Sequence, residues 1–98
     1  MTFDDIYSAV EAQAGNVTAF GAKLKFELGD NVILIDGTGD KNVVSKDNGE
    51  AACTISTDED TFIKLKNGDL NPMMAVMTGK VKIKGDMGLA MKLQSLIQ

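Results

Sequence analysis

Few residues in this chain can do chemistry, and they are unevenly spread. Five of the six Met lie between positions 73 and 91, and three Lys alternate at Lys80, Lys82 and Lys84. Met is long, unbranched and polarizable, so a surface rich in it can repack around ligands of different shape. The plainer reading is an ordinary core filled with Met, and composition by itself favours it. The three Lys share one face of a strand, where they suit a solvated edge that resists mispairing. Cys53 is the only thiol, so no internal disulfide can form. It alternates with core residues, as a small buried side chain does, and not as a nucleophile.

Other chemistry is excluded by what the chain lacks. It has no His, which removes the commonest general base and the commonest zinc ligand together. It has no Arg, so bidentate phosphate or guanine recognition is absent. Ser8, Ser45, Ser56 and Ser95 stand in no activating motif. Gly79-Lys80 lacks the remainder of a phosphate loop, and Gly85 with Gly88 is not a dinucleotide fingerprint. Asp36 to Lys41 looks like a calcium loop but carries Lys41 where the turn needs Gly. No catalytic residue, metal ligand or cofactor is expected. The net charge of −4 argues against nucleic acid. That charge is lopsided: residues 1–60 hold twelve Asp/Glu and four Lys, residues 61–98 two Asp and six Lys. Such a balance can mark a positive face for an anionic partner.

The elements that position these residues follow from periodicity. Thr2 and Asp5 are spaced as a capping box, and Phe3, Ile6, Val10 and Ala14 recur at helical spacing. A helix from about Phe3 to Gln13 must lie against a sheet. From Ala19 the period becomes two, with Phe20, Ala22, Leu24, Phe26 and Leu28 on one face of a strand. Gly29-Asp30-Asn31 turns into a second strand, Val32 to Ile35, which is apolar on both faces and so interior. Asn42 to Ser45 and Ala51 to Ser56 are further strands. Thr57 and Asp60 read as a second capping box, opening a helix that buries Phe62, Ile63 and Leu65 and stops at Asn67-Gly68. Asn71-Pro72 starts a short apolar helix, Met73 to Met77, ended by Thr78-Gly79. Lys80 to Lys84 is a strand with Val81 and Ile83 on its apolar face, broken by Gly85-Asp86. From Met87 onward, Leu89, Leu93, Leu96 and Ile97 form the stripe of an amphipathic helix. Consecutive strands indicate α+β, and 98 residues suit one domain, 1–98.

The run Gly79 to Leu93, GKVKIKGDMGLAMKL, resembles the closing segment of the sterol carrier protein two family of lipid-binding domains. Upstream, Ala52-Cys53-Thr54-Ile55 followed by acidic residues, then Asn67-Gly68 and Asn71-Pro72, occur in that family's order and spacing. The resemblance covers residues 17–98 well and the first helix loosely. It implies a five-stranded mixed, mainly antiparallel sheet covered by helices, with an apolar cavity between them. It implies a non-catalytic lipid-binding or transfer protein holding sterol, fatty acid, fatty acyl-CoA or phospholipid. The alternative is a substrate-presenting module that docks to an acyl-CoA-metabolising enzyme.

On that reading Ile33, Phe62, Met73, Val76, Met77, Met87 and Met91 line the ligand site. Lys80, Lys82, Lys84 and Lys92 are candidates for an anionic head group. The expected partners are a lipid, a transient membrane contact and an enzyme, for a monomer or dimer. The chain departs from many members where they carry aromatics at Val76 and Met77 and Gln at Thr78. Its polar start is unlike a signal peptide and its end unlike a peroxisomal tripeptide, so a stand-alone, bacterial-type cytoplasmic member is expected.

Overall fold

The computed structural model describes residues 2–97, with side chains as far as position 92. Its order is α1 (Phe3–Ala14), β1 (Lys23–Leu28), β2 (Asn31–Asp36), β3 (Val43–Ser45), β4 (Cys53–Thr57), α2 (Glu59–Lys66), α3 (Pro72–Met77), β5 (Lys82–Gly85) and α4 (Met87–Ile97). The strands form one sheet in the order β3-β2-β1-β4-β5. Neighbours are antiparallel except β1 and β4, which run parallel. The fold is therefore α+β with a mixed, mainly antiparallel sheet.

Parity along the strands decides which side chains meet the helices. Leu24, Phe26 and Leu28 lie level with Cys53, Ile55 and Thr57 of β4, and Phe26 faces Ile33 across the hairpin. These residues make the inner face, on which α1 and α4 pack. Phe26 meets Phe62 of α2 edge-to-face, ring centroids 5.4 Å apart at 81°, a favoured aromatic geometry. The outer face carries Lys25, Glu27, Thr54 and Ser56. Leu34 also points outward, yet it is buried. The 46–50 connection folds over it, held by Lys25 Nζ donating to Asn48 Oδ1 at 3.1 Å and to Gly49 O at 3.2 Å.

The helix starts have individual causes. In α1 the Asp5 amide donates to Thr2 Oγ1 at 3.3 Å and the Thr2 amide to Asp5 Oδ2 at 2.9 Å, a complete capping box. The Tyr7 hydroxyl donates to Val44 O at 3.0 Å and ties α1 to β3. For α2 the expected cap is corrected. Asp58, not Thr57, caps it, accepting from the Thr61 amide at 2.6 Å. The Thr57 hydroxyl instead donates to Lys80 O at 2.8 Å. Asn71 caps α3 and Pro72 fills its first turn, as expected. Asp86 Oδ1 accepts from the Gly88 and Leu89 amides at 2.8 and 3.3 Å and so starts α4.

Every strand but β2 begins later than periodicity suggests, β3 by one residue at Val43 and β4 by two at Cys53. β1 starts at Lys23 because Gly21 turns the chain at φ +78° and the Phe20 amide donates to Asn42 Oδ1 at 3.1 Å. The same Asn42 amide group points at the carbonyls of Ala14, Val17 and Thr18. β5 starts at Lys82 because the Lys80 and Val81 amides both return to Ala75 O, at 2.9 and 3.1 Å. The side chains of Leu93, Leu96 and Ile97 lie outside the described residues. No helix among the described residues is long and apolar enough to cross a membrane.

Removing the α2 cap gives a first prediction. Asp58→Ala should lose about 1 kcal/mol at neutral pH. Hydrogen bonds from the Thr61 amide and then the Thr61 hydroxyl lower the Asp58 pKa in the folded chain. The unfolded carboxyl titrates near ~3.9, so the stabilisation is full above that pH and lost as pH falls through the lower folded value. Chemical denaturation of both proteins from neutral to acid pH should show their stabilities converging.

Candidate ligand-binding site

An apolar groove opens between α3 and α4 above the inner face of β5. Its outer part has a volume of about 160 Å³ and is walled by Pro72, Met73, Val76 and Met77 on one side and Met87, Ala90 and Met91 on the other, with Ile83 beneath. A narrower inner part of about 40 Å³ continues to Ile55, Phe62, Leu65 and Val81. The two parts share Pro72, Val76, Ile83 and Ala90, so they are one groove.

Local structure explains why these side chains converge. Six consecutive apolar residues form α3, and only Ala75 is buried, so its other side chains border the groove or the solvent. Met87 and Met91 are four residues apart and lie on one face of α4. Ile83 projects inward by strand parity, level with Ile55. The one polar lining side chain, Thr57, has its hydroxyl engaged with Lys80 O. Among the described residues no buried side-chain polar atom lacks a partner, and no charged side chain lines the groove. Such a lining is chemically suited to hydrocarbon.

Cys53 does not alter this. It is fully buried, and burial, with the Asp86 charge second, pushes its thiol pKa up. A neutral buried thiol is a poor nucleophile. Among the described residues no group of three His, Cys, Asp or Glu is placed to hold a metal ion.

The residues singled out from sequence fall in different places. Met73, Val76, Met77, Met87 and Met91 line the outer groove and Phe62 the inner part. Ile33 lies fully buried in the core opposite Phe26 and lines neither part. The four lysines are not gathered. Lys82 and Lys84 lie on the outer sheet face, level with Ser56 and Thr54. Lys80 precedes the strand and shares an open polar hollow with Lys82. Glu27 and Asp58 line the same hollow, so its charge is mixed. Lys92 sits beside Met91 near Thr18 and Phe20. Ile83, Ala90 and Pro72 line the groove although sequence reasoning assigned them no such role. Ile83's inward parity was the available signal.

Comparison with known proteins finds relatives of both the sequence and the fold. The family model described as the SCP-2 sterol transfer family matches residues 3–98. Hydroxysteroid dehydrogenase-like protein 2 of Xenopus laevis is 45% identical over 66 residues, 65% of this chain and 16% of that protein. The chain thus spans about a sixth of that relative's length. The sterol carrier protein domain 2 of Helicoverpa armigera superposes with a TM-score of 0.77 at 26% identity, covering 95% of this chain and 83% of that one. A palmitated SCP2L2 from Aedes aegypti superposes with a TM-score of 0.70 at 20% identity, covering 100% and 96%.

Proposed function

The chain belongs to the SCP-2 sterol transfer family, and from that premise we propose that it is a non-catalytic cytoplasmic carrier of acyl lipids. The lining of the groove carries this reading. An acyl chain is flexible, and Met side chains with three rotatable bonds can close around it in many conformations. A rigid fused-ring sterol would need a preshaped pocket. The head group would stay at the open mouth, hydrated by solvent. The neighbour from Aedes aegypti, described as palmitated, supports an acyl ligand for this shape.

Native mass spectrometry of freshly purified protein should show a bound lipid mass. After stripping, thermal unfolding with palmitate below its micelle threshold should give a midpoint that rises with free ligand. Linkage sets the size of the effect at about 2.7 kcal/mol when ligand is a hundredfold over Kd. A stripped protein whose midpoint ignores fatty acid, acyl-CoA, phospholipid and sterol alike would overturn the proposal.

A second reading is favoured by the relative from Xenopus laevis, whose name is that of a dehydrogenase-like protein. The same loaded groove would then present substrate to an enzyme joined to it or docked on it. The two readings separate by kinetics. A presenting module lowers the KM of an acyl-CoA-metabolising enzyme, whereas a simple carrier raises it by sequestering substrate.

A further inference from the structure

An Asn or Asp side chain can be attacked by the next backbone nitrogen when glycine follows, because glycine has no Cβ to hold the two apart. The chain has three such pairs, Asp36-Gly37, Asn48-Gly49 and Asn67-Gly68. In two of them the glycine amide is already engaged. Gly37 N donates to Ala22 O at 3.0 Å, and Gly68 N donates to Leu65 O at 3.2 Å at the end of α2. The Gly49 amide has no acceptor among the described residues. Asn48 is exposed and stands in the 46–50 connection, outside helix and strand. Its Oδ1 accepts from Lys25 Nζ at 3.1 Å, and the same ammonium donates to Gly49 O at 3.2 Å. The Lys25 side chain is only 13% exposed and is steadied by Glu27 Oε2 at 3.7 Å. A cation is therefore fixed on the one carbonyl oxygen that such an attack would charge.

We propose that Asn48-Gly49 is a site of intramolecular deamidation, with Lys25 as its oxyanion partner. The Gly49 nitrogen gives its proton to hydroxide and bonds to Asn48 Cγ. The negative charge that develops on Oδ1 meets the Lys25 ammonium, a charge-assisted contact that strengthens as the charge grows. The Cγ–Nδ2 bond then breaks, and Nδ2 leaves as ammonia with a proton from water, which regenerates hydroxide. Water adds to the succinimide ring and opens one of its two carbonyl–nitrogen bonds. Aspartate or isoaspartate is left at position 48, and no oxidant or reductant is consumed. The connection over Leu34 changes with it. A carboxylate replaces a neutral acceptor beside Lys25, and in the isoaspartate product the main chain is one atom longer. The modification is separate from the groove and needs no lipid.

Peptide mapping by mass spectrometry, over a time course at mildly alkaline pH, tests this. In the folded chain Asn48 should convert roughly tenfold faster than Asn67, whose glycine must first give up its hydrogen bond. In urea, where both are free Asn-Gly pairs, the two rates should converge. Lys25→Met keeps the stem and removes the ammonium. It should slow conversion of Asn48 about fivefold in the folded chain, a modest loss for a donor open to solvent, and leave the rate in urea unchanged. Lys25→Arg, which keeps a charged donor, should convert close to the wild-type rate. Each variant is compared after its urea transition shows that it is folded, and the arginine variant carries the comparison if the methionine one is not. The proposal is overturned if folded Asn67 converts as fast as Asn48. It is also overturned if Lys25→Met converts as fast as wild type or faster, or if folded Lys25→Arg is several-fold slower.

Discussion

Gly85→Ala is expected to unfold at a much lower urea concentration than wild type. Gly85 closes β5 at φ +99°, and a Cβ built there would lie 2.1 Å from Ala52 O. That oxygen is held in place because it accepts the Asp86 amide at 3.0 Å. The methyl group therefore meets fixed backbone, not a side chain that can swing aside. Backbone strain of about 1–3 kcal/mol adds to an overpacking cost of about 1–3 kcal/mol. The loss is a large share of the roughly 5–15 kcal/mol that holds a domain together. Gly79→Ala is the control. Its φ is +77°, but no atom lies within 4 Å of the added Cβ. It should lose only about 1–2 kcal/mol, from conformation alone. Equal urea midpoints for the two variants would show that the Ala52 carbonyl gives way.

The second large effect concerns ligand binding and separates floor from rim. Ile83 lies under both parts of the groove, so Ile83→Gln puts an amide against bound hydrocarbon. Burying that amide without a partner costs about 1–3 kcal/mol, so palmitate affinity should drop by roughly fivefold to 150-fold. Met77 and Met91, which also line the groove, are 78% and 71% exposed. Gln at either can turn its amide to solvent, so these variants should lose only a few-fold. Ile83 is partly buried and packs against the core, so urea denaturation of Ile83→Gln should first show a cooperative transition, which establishes that the variant is folded. Titration of a fluorescent fatty acid into the three folded variants measures the order directly. If the rim variants lose more than Ile83→Gln, the acyl chain lies across the mouth and not along the floor.

Short-range signals in the sequence carried most of the fold. The α1 capping box, the Asn71-Pro72 start and the alternation from Leu24 to Leu28 each depend on residues a few positions apart. Their geometry follows from backbone chemistry. The Met positions 73, 77, 87 and 91 are spaced by one helical turn within each helix, but composition favours a Met-filled core, and their place at a ligand site came only from the family resemblance. Long-range contacts left no such mark. Nothing near Asn42 announces that its side chain will meet Phe20, Ala14, Val17 and Thr18. That contact helps set where β1 begins. Thr57 and Asp58 are both competent caps, and the choice fell to Asp58 because Lys80 O takes the Thr57 hydroxyl.

Ile33 and the lysines show the same limit at the site. Parity puts Ile33 on the inner face, but its distance from the groove depends on strand order. That order turns on β1 pairing in parallel with β4, far along the chain. Lys80, Lys82 and Lys84 alternate in sequence as if on one strand. The turn at Ala75 O keeps Lys80 outside the pairing, and it meets Lys82 only at an open hollow that Glu27 and Asp58 also line.

The parallel pair also divides labour along the chain. On one side of it, β3, β2 and β1 with α1 hold seven of the nine largest fully buried side chains among the described residues. On the other, every side chain lining the groove comes from residues 55–91. Most of the largest core side chains and the groove lining thus come from different stretches of the chain, although Ile55, Phe62, Leu65, Val81 and Ala90 belong to both. The exposed part of the lining, Met73, Met77, Met87 and Met91, lies outside that core, so substitutions there should cost little stability. If the groove carries lipid as proposed, such a layout would let a lineage change cargo through the Met rim and keep the fold.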